Sequence, residues 1–192
     1  MKNMVEIRWH GRGGQGAKTA ALLFADSAMS AGKFIQAFPE YGPERMGAPV
    51  QSFDRLSNEP ITLHCGITSP DIVAVLDPTL MATVDVTAGL SDGGVIIINT
   101  ASSPAEMRKE MGLSGKKIFT IDASGISKET LGRDIPNTPM LGALVKVSGL
   151  LEIENVLEDT KKKLEKKFRT KPELIEGNIL AIKRAYEEVK GE

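Results

Sequence analysis

The chain has 192 residues, of which 41% are hydrophobic and 26% charged, and this composition is typical of a globular protein, so we expect residues 1–192 to form one domain. Lys and Arg number 24 against 25 Asp and Glu, a balance that gives no reason to expect nucleic acid or an anionic membrane surface as a partner. The single cysteine excludes an internal disulfide and any iron–sulfur cluster that needs four thiolates from this chain.

Neither a membrane span nor a secretory signal is predicted. No window approaches the roughly 18 apolar residues that cross a bilayer. The first residues, Met1–Val5, lack the apolar core and small-residue cleavage site of a signal peptide. We therefore expect a cytoplasmic protein. His10 and His64 lie far apart with no carboxylate at ligand spacing, which argues against a zinc site built by this chain.

The first third of the chain predicts a strand, a helix and further strands. Residues 5–10 alternate apolar and polar side chains, which is typical of a strand, and the apolar run 17–31 that follows the glycines predicts a helix. Another apolar stretch covers 34–38. We expect residues 50–55 and 61–64 to form a hairpin, and such an antiparallel pair makes the sheet mixed.

The remaining two thirds predict two covered strands and then mostly helix. Residues 71–77 and 94–99 are almost wholly apolar, as in strands covered by helices on both faces. Helix starts are predicted at Pro78 and at Ser103-Pro104-Ala105-Glu106, which fits a capping box. One more strand is predicted at 117–122, and helices at 140–151, 153–168 and 172–189. The order of elements predicts one three-layer α/β domain with a Rossmann-like, mixed sheet and a helical C-terminus.

A glycine-rich loop lies between the first strand and the first helix. Its residues are Gly11, Arg12, Gly13, Gly14, Gln15 and Gly16. The spacing G-x-G-x-x-G in this context is that of a dinucleotide site, where backbone N–H groups and a helix N-terminus face a phosphate. The acid that should contact the ribose is missing, because Glu40 lies beyond a proline rather than at a strand tip.

The same loop also approximates a P-loop. Gly11 and Gly16 have the required four-residue gap, but Ala17 delays Lys18-Thr19 by one residue. One extra helical residue rotates both side chains by about 100° away from the phosphates and magnesium. Asp77, at the end of an apolar run, resembles the magnesium-binding Asp of such proteins. A nucleotide-hydrolysing protein, a free-standing dinucleotide-binding module and a purely structural glycine turn therefore stay open as alternatives.

Three blocks of the sequence resemble one family. Gly11–Gly16, the segment Tyr41-Gly42-Pro43-Glu44-Arg45-Met46-Gly47 and the segment Asn137-Thr138-Pro139-Met140-Leu141-Gly142-Ala143 are similar to signatures of the gamma subunit of 2-oxoacid:ferredoxin oxidoreductases. Glu176-Gly177-Asn178 matches a further family position. Met46 departs from the pattern, since an Arg is common there. Together the blocks span nearly the whole chain.

The resemblance implies an accessory subunit of an enzyme that oxidises a 2-oxoacid, of which pyruvate is the commonest in the family, to an acyl-coenzyme A and reduces ferredoxin. Thiamine diphosphate and iron–sulfur clusters are then held by partner alpha, beta and delta subunits. This chain has neither a thiamine motif nor the cysteines for a cluster, so we expect no catalytic residue and no metal ligand in it.

For this chain the resemblance implies a contact with coenzyme A. The amides of Gly13, Gly14 and Gly16, together with Arg12, are suited to phosphate or pantetheine oxygens. The full set of candidate contact residues is Gly11, Arg12, Gly13, Gly14, Gln15, Gly16, Tyr41, Glu44, Arg45 and Asn137.

Four further features have simpler structural interpretations. Asn137 is expected to be the N-cap of a helix, a role compatible with a ligand contact. His10 is interpreted as a satisfied strand-end histidine and Cys65 as a small core residue. The lysines at 161–163 and 166–167 are interpreted as the solvated face of an amphipathic helix, with no ligand assigned to them.

Overall fold

The computed structural model describes residues 4–40 and 47–192. Its strands are β1 (Met4–Arg12), β2 (Phe34–Glu40), β3 (Pro49–Ser57), β4 (Ile72–Val75), β5 (Val95–Asn99), β6 (Lys117–Ile121) and β7 (Lys190–Gly191). Its α-helices are α1 (Ala17–Ser30), α2 (Pro104–Met111), α3 (Ala123–Leu131), α4 (Asn137–Ser148), α5 (Ile153–Lys167) and α6 (Pro172–Glu188), and a 3₁₀ helix covers Pro78–Ala82.

The described residues form one sheet of seven strands in the order β2-β3-β1-β4-β5-β6-β7. β1, β4, β5 and β6 are parallel, whereas β3 is antiparallel to both β1 and β2, and β7 is antiparallel to β6. Ile7 of β1 lies opposite Asp54 of β3 on one side and Ile72 of β4 on the other. The predicted mixed sheet is therefore confirmed.

Helices cover both faces of the sheet, which confirms the three-layer α/β prediction. On one face, alternate strand residues such as Trp9, Ala74 and Ile97 pack with residues of α1, α3, α4 and α6. On the other face, Val75 and Ile98 pack with the 3₁₀ helix region and α2. β4 and β5 are buried on both faces, so all their side chains except that of Asn99 are apolar, and this pattern is what allowed both strands to be predicted from the sequence.

The helix starts predicted at Ser103 and Pro78 are both capped as expected. Ser103 and Glu106 form the expected capping box at the start of α2, and Gly112 ends that helix in a left-handed conformation. Asp77 accepts a hydrogen bond from the Thr79 N–H and so caps the helical turn that follows, although this turn is a short 3₁₀ helix. No helix among the described residues is long and apolar enough to cross a membrane.

The predicted hairpin between 50–55 and 61–64 is wrong. β3 is flanked on one side by β1 and on the other by β2, so neither of its edges is open to a further strand. Residues 61–66 run over the surface instead, outside any strand. For the same reason the interpretation of Cys65 as a core residue is wrong, because its thiol is exposed.

Candidate functional site

The glycine-rich loop lies at the carboxyl end of β1, beside the carboxyl end of the parallel strand β4, and leads directly into α1. Ligands of open α/β sheets bind at this edge. Gly14 and Gly16 have φ angles of 98° and 86°, which glycine adopts without strain. Gly16 is the N-cap of α1, and the first N–H groups of a helix have no partner within it.

One side of the loop is hydrogen-bonded to Asp77. The Oδ2 atom of Asp77 accepts hydrogen bonds from Arg12 Nε at 3.0 Å and from Gln15 Nε2 at 2.9 Å. The Oδ1 atom accepts a hydrogen bond from the Thr79 N–H at 2.9 Å. Partial burial raises the pKa of Asp77, but the hydrogen bonds from Thr79 and Gln15 and the charge of Arg12 outweigh it, so the pKa is lower than usual. Asp77 is therefore an ionised internal anchor for the loop.

The same side is also paired with the segment that precedes β3. The Gly13 N–H donates to the Ala48 carbonyl at 2.9 Å, the Gly47 N–H donates to the Gly13 carbonyl at 3.2 Å, and Arg12 donates to the Gly47 carbonyl at 3.1 Å. The sequence interpretation offered the Gly13 amide and the Arg12 guanidinium to a ligand. In the structure both are engaged within the chain, because the loop needs partners for its own polar groups.

The other side of the loop faces α4. A Cβ placed on Gly16 would come within 2.7 Å of Asn137 Nδ2, so only glycine lets the loop and the start of α4 approach this closely. Asn137 is 9% exposed, and its Oδ1 accepts from the Thr138 N–H at 2.8 Å. The predicted N-cap role is wrong, since Pro136 occupies the cap position and Asn137 is the first helical residue.

A cavity of about 390 Å³ opens on this second side of the loop. The polar residues that line it are Gly14, Gly16, Thr19, Asn137, Thr138 and Asn178. The apolar residues that line it are Leu23, Leu131, Ile135, Leu164, Phe168 and Leu174. Two cationic side chains, Arg133 and Lys163, complete the lining. A mostly apolar lining with a few polar and charged groups is the usual composition of a small-molecule site, and the two cations suit an anionic ligand.

The structure brings some of the predicted site residues together and separates others. Gly14, Gly16 and Asn137 line one cavity, whereas Arg12 and Gln15 turn to Asp77 on the opposite side of the loop. The remaining candidates of the second sequence block, Tyr41, Glu44 and Arg45, lie outside the described residues.

Two cavity residues were missed by sequence reasoning. The lysines of α5 were interpreted as a solvated face, and Lys162 does pair with Glu158 at 2.7 Å in that way. Lys163, one residue further on, instead pairs with Asp26 of α1 and lines the cavity. Arg133 carries no motif that would have singled it out. A 100° turn between successive helical residues separates the roles of Lys162 and Lys163.

His10 lies just before the loop and is part of the framework. It is 2% exposed, and its Nε2 accepts a hydrogen bond from Arg8 Nε at 2.9 Å. Burial, reinforced by the positive charge of Arg8, lowers the pKa of His10 to about 4. The histidine is therefore neutral at pH 7, as expected for a satisfied strand-end residue.

The geometry does not favour magnesium-dependent nucleotide hydrolysis. The carboxylate that a P-loop protein would offer to magnesium, Asp77, is already held by Arg12 and Gln15. Among residues 4–40 and 47–192 no group of three His, Cys, Asp or Glu side chains is arranged to hold a metal ion.

Comparisons with known proteins agree on one family. Residues 6–188 match the sequence profile described as pyruvate ferredoxin/flavodoxin oxidoreductase. Pyruvate synthase subunit PorC of Thermotoga maritima is 46% identical over 189 residues, which cover 98% of this chain and 96% of that protein. The pyruvate/ketoisovalerate oxidoreductases common subunit gamma of Pyrococcus furiosus is 46% identical over 187 residues, covering 97% of this chain and 98% of that protein.

Solved structures show the same fold. The crystal structure of pyruvate oxidoreductase subunit PORC from Thermotoga maritima superposes with a TM-score of 0.86 at 44% identity and covers 100% of this chain and 99% of that one. A 2-oxoglutarate:ferredoxin oxidoreductase from Magnetococcus marinus, solved with 2-oxoglutarate, coenzyme A and succinyl-CoA bound, gives a TM-score of 0.77 at 21% identity. That match covers 97% of this chain but 31% of the other, so the same fold occurs there within a longer chain.

Proposed function

This chain belongs to the pyruvate ferredoxin/flavodoxin oxidoreductase family, and from that membership we propose that its share of the reaction is to bind coenzyme A at the open side of the glycine loop. It is a gamma-type subunit of a multi-subunit pyruvate or 2-oxoacid ferredoxin oxidoreductase. The bond-making steps and the electron transfer fall to partner subunits, which we propose to be the alpha, beta and delta chains.

One observation carries the proposal of a coenzyme A site. The cavity that opens beside Gly14 and Gly16 joins the N-terminus of α1 to the cationic side chains of Arg133 and Lys163. A helix N-terminus and nearby cations stabilise phosphate groups, and coenzyme A is the phosphate-bearing substrate of this reaction. Coenzyme A is also bound in the structure of the Magnetococcus marinus enzyme, whose chain contains this fold.

The proposed division of labour follows from what the chain contains. Thiamine diphosphate supplies the carbanion chemistry of such enzymes and iron–sulfur clusters carry the electrons. The one cysteine of the chain, Cys65, is exposed. We therefore propose that this subunit binds and orients the acyl acceptor, while the redox groups and the transfer of electrons to ferredoxin belong to its partners.

A charge placed at Gly14 tests the coenzyme A site. A Cβ at this position would meet no atom within 4 Å, so a side chain fits there in space even though the φ of 98° is unfavourable. Gly14→Asp would place a carboxylate at the edge of the cavity and repel phosphate. Gly14→Asn has the same shape, tolerates a left-handed conformation equally well and carries no charge, so it is the matched control.

The measurement is coenzyme A-dependent reduction of a viologen dye by the purified complex with pyruvate as the donor. We expect Gly14→Asp to raise the KM for coenzyme A by about tenfold relative to Gly14→Asn, since one unfavourable charge contact costs on the order of 1.4 kcal/mol. The KM for pyruvate should not change. Equal KM values for coenzyme A in the two variants would refute the site.

A further inference from the structure

One face of the outer strands β2 and β3 has no helix of the described residues packed on it. Helix α1 packs on the opposite face, with Ile35 and Leu56, and it is the only described helix in extensive contact with either strand. On the uncovered face, Phe38 of β2 is half-buried and stacks on Phe53 of β3, with the ring centroids 5.3 Å apart. An antiparallel pair of strands can leave one face to water, but such a face carries polar side chains, whereas Phe34 and Phe38 lie on this one.

A loop that is anchored on this face turns a leucine toward solvent. Residues 61–66 have no regular secondary structure, yet side chains of both strands hold them. Gln36 Nε2 donates to the Leu63 carbonyl at 2.9 Å, and Arg55 Nη2 donates to the Cys65 carbonyl at 3.1 Å. Arg55 is 1% exposed, so a buried cation fixes the loop, whereas the Leu63 side chain is 43% exposed. The anchored loop therefore keeps an apolar side chain at the surface.

The strand and the loop together form a mostly apolar surface, which we call the β2 surface. It is formed by Phe34, Gln36, Phe38, Leu63, His64 and Cys65, and all of these except Phe34 line an open groove of about 420 Å³. None of them is Asp, Glu, Lys or Arg, although such residues make up 26% of the chain. Single exposed hydrophobic residues are ordinary on a protein surface, whereas a contiguous group of them marks an interaction site.

The chemistry of the β2 surface favours a permanent partner. Transient partners such as soluble electron carriers are steered by charge, and the β2 surface has no lysine, arginine or carboxylate to provide it. Permanent subunit interfaces are more apolar, and this chain is a subunit of a multi-subunit oxidoreductase. Pro39 lies in β2, the strand at the end of the described sheet, and a proline in an edge strand hinders the addition of another strand. The partner is therefore expected to pack on the face of β2.

We propose that the β2 surface is the docking site of a permanent partner subunit of the same oxidoreductase, which covers Phe34, Phe38 and Leu63 with an uncharged, apolar surface of its own. This inference rests on the proposed function only in that the enzyme has partner subunits, and it does not depend on where coenzyme A binds. In the assembled enzyme the partner supplies the layer that this face of β2 and β3 lacks.

The single cysteine of the chain gives a direct test in the purified complex. Cys65 is exposed and lines the groove, so a maleimide reaches it in the isolated chain. In the complex the partner covers Cys65, and its labelling, followed by intact-mass spectrometry of this subunit, should be slower by about tenfold or more. Because the chain has one cysteine, the mass shift reports this position alone. Equally fast labelling in the complex and in the isolated chain would overturn the inference.

A charge placed at Leu63 tests the same surface by association. Leu63→Asp should weaken association with the partner subunits by about tenfold or more, measured by mass photometry of the diluted complex, because burial of an unpaired charge is unfavourable. Leu63→Met keeps an apolar side chain and should associate as the parent chain does. Leu180→Asp is the matched control, since Leu180 is 49% exposed on α6, which packs on the opposite face of the sheet.

Two results of the association test would contradict the docking site. One is unchanged association of Leu63→Asp, and the other is an equal loss of association in Leu180→Asp. Circular dichroism of the isolated Leu63→Asp chain checks that the variant folds. The labelling of Cys65 uses the parent chain, so it decides the matter even where the variant does not fold.

The outcomes separate this inference from the coenzyme A site. Leu63→Asp should reduce the amount of complex, but the complex that does form should keep the parent KM for coenzyme A. Slow labelling of Cys65 in the complex together with unchanged kinetics in Gly14→Asp would keep the docking site and reject the coenzyme A site. Fast labelling of Cys65 together with a raised KM in Gly14→Asp would do the reverse.

Discussion

Asp77 holds one side of the glycine loop through its hydrogen bonds with Arg12 and Gln15, and its removal should destabilise the chain. Asp77→Ala deletes the acceptors of Arg12 Nε and Gln15 Nε2, at 3.0 and 2.9 Å, and the cap of the following helical turn. Loss of the cap costs about 1 kcal/mol. The two lost hydrogen bonds add about 2 kcal/mol, after a discount because the Arg12 side chain is 32% exposed. We expect about 3 kcal/mol of destabilisation.

The assay is urea unfolding of the isolated chain at pH 7, combined with hydrogen exchange of residues 12–16. Asp77→Ala should lower the free energy of unfolding and speed exchange in the loop, whereas Asp77→Asn, which keeps the shape and an acceptor for Thr79, should lose about half as much. This account of the loop would be refuted by two results together: a free energy of unfolding of Asp77→Ala within about 0.5 kcal/mol of that of the parent chain, and unchanged hydrogen exchange in the loop.

The same carboxylate predicts a pH dependence with a definite sign. The folded-state pKa of Asp77 is lower than its ordinary value, so the unfolded chain binds the proton more readily than the folded one. The contribution of Asp77 to stability is therefore complete above about pH 4, the ordinary pKa of the group, and is lost as the pH falls through the folded value. The difference between the parent chain and Asp77→Ala should shrink correspondingly in acid.

Two further positions give predictions that do not involve the ligand. A Cβ on Gly142 would lie 2.1 Å from the Ile182 carbonyl oxygen, so Gly142→Ala must push α4 and α6 apart and should destabilise the isolated chain by about 3 kcal/mol in urea unfolding; a loss under 1 kcal/mol would contradict this packing. Burial, with the charge of Arg8, lowers the pKa of His10 to about 4, so stability should fall by about 2 kcal/mol between pH 7.5 and 5 as the unfolded histidine takes up a proton. His10→Gln should abolish this dependence of stability on pH. His64 is exposed and serves as the control, so a pH dependence that persists in His10→Gln but disappears in His64→Gln would contradict the assignment.

The parts of the fold that could be predicted were those with strong local signals. Some patterns depend only on residues that are close together in the chain, so they could be recognised in the sequence: the strands at 71–77 and 94–99 and the capping box at Ser103. The hairpin at 61–64 failed because strand pairing is decided by distant segments: β1 and β2 occupy both edges of β3. The two-residue strand β7 was missed because so short a segment carries no periodicity.

The site was predicted less completely than the fold, for a related reason. The motif located the loop correctly at the end of β1, yet it could not tell which side of the loop would stay open. That depends on Asp77, whose side chain takes up Arg12 and Gln15. Lys163 was interpreted as part of a solvated face because it lies in a run of lysines on an amphipathic helix. Its place in the cavity lining depends on the packing of α5 against α1, which the local sequence does not reveal.

The engagement of Asp77 also distinguishes this loop from the P-loop that it resembles in sequence, and it agrees with the proposal that the loop binds a phosphate-bearing substrate without hydrolysing a nucleotide. In a P-loop enzyme the lysine reaches the phosphates and a neighbouring carboxylate helps to hold magnesium. Here the cation beside the carboxylate is the guanidinium of Arg12, a permanent part of the chain. The charge that would have recruited magnesium is thereby neutralised, and the loop keeps its shape without a metal. In the proposed function, a loop of this kind holds a phosphate-bearing substrate in place while partner subunits carry out the reaction.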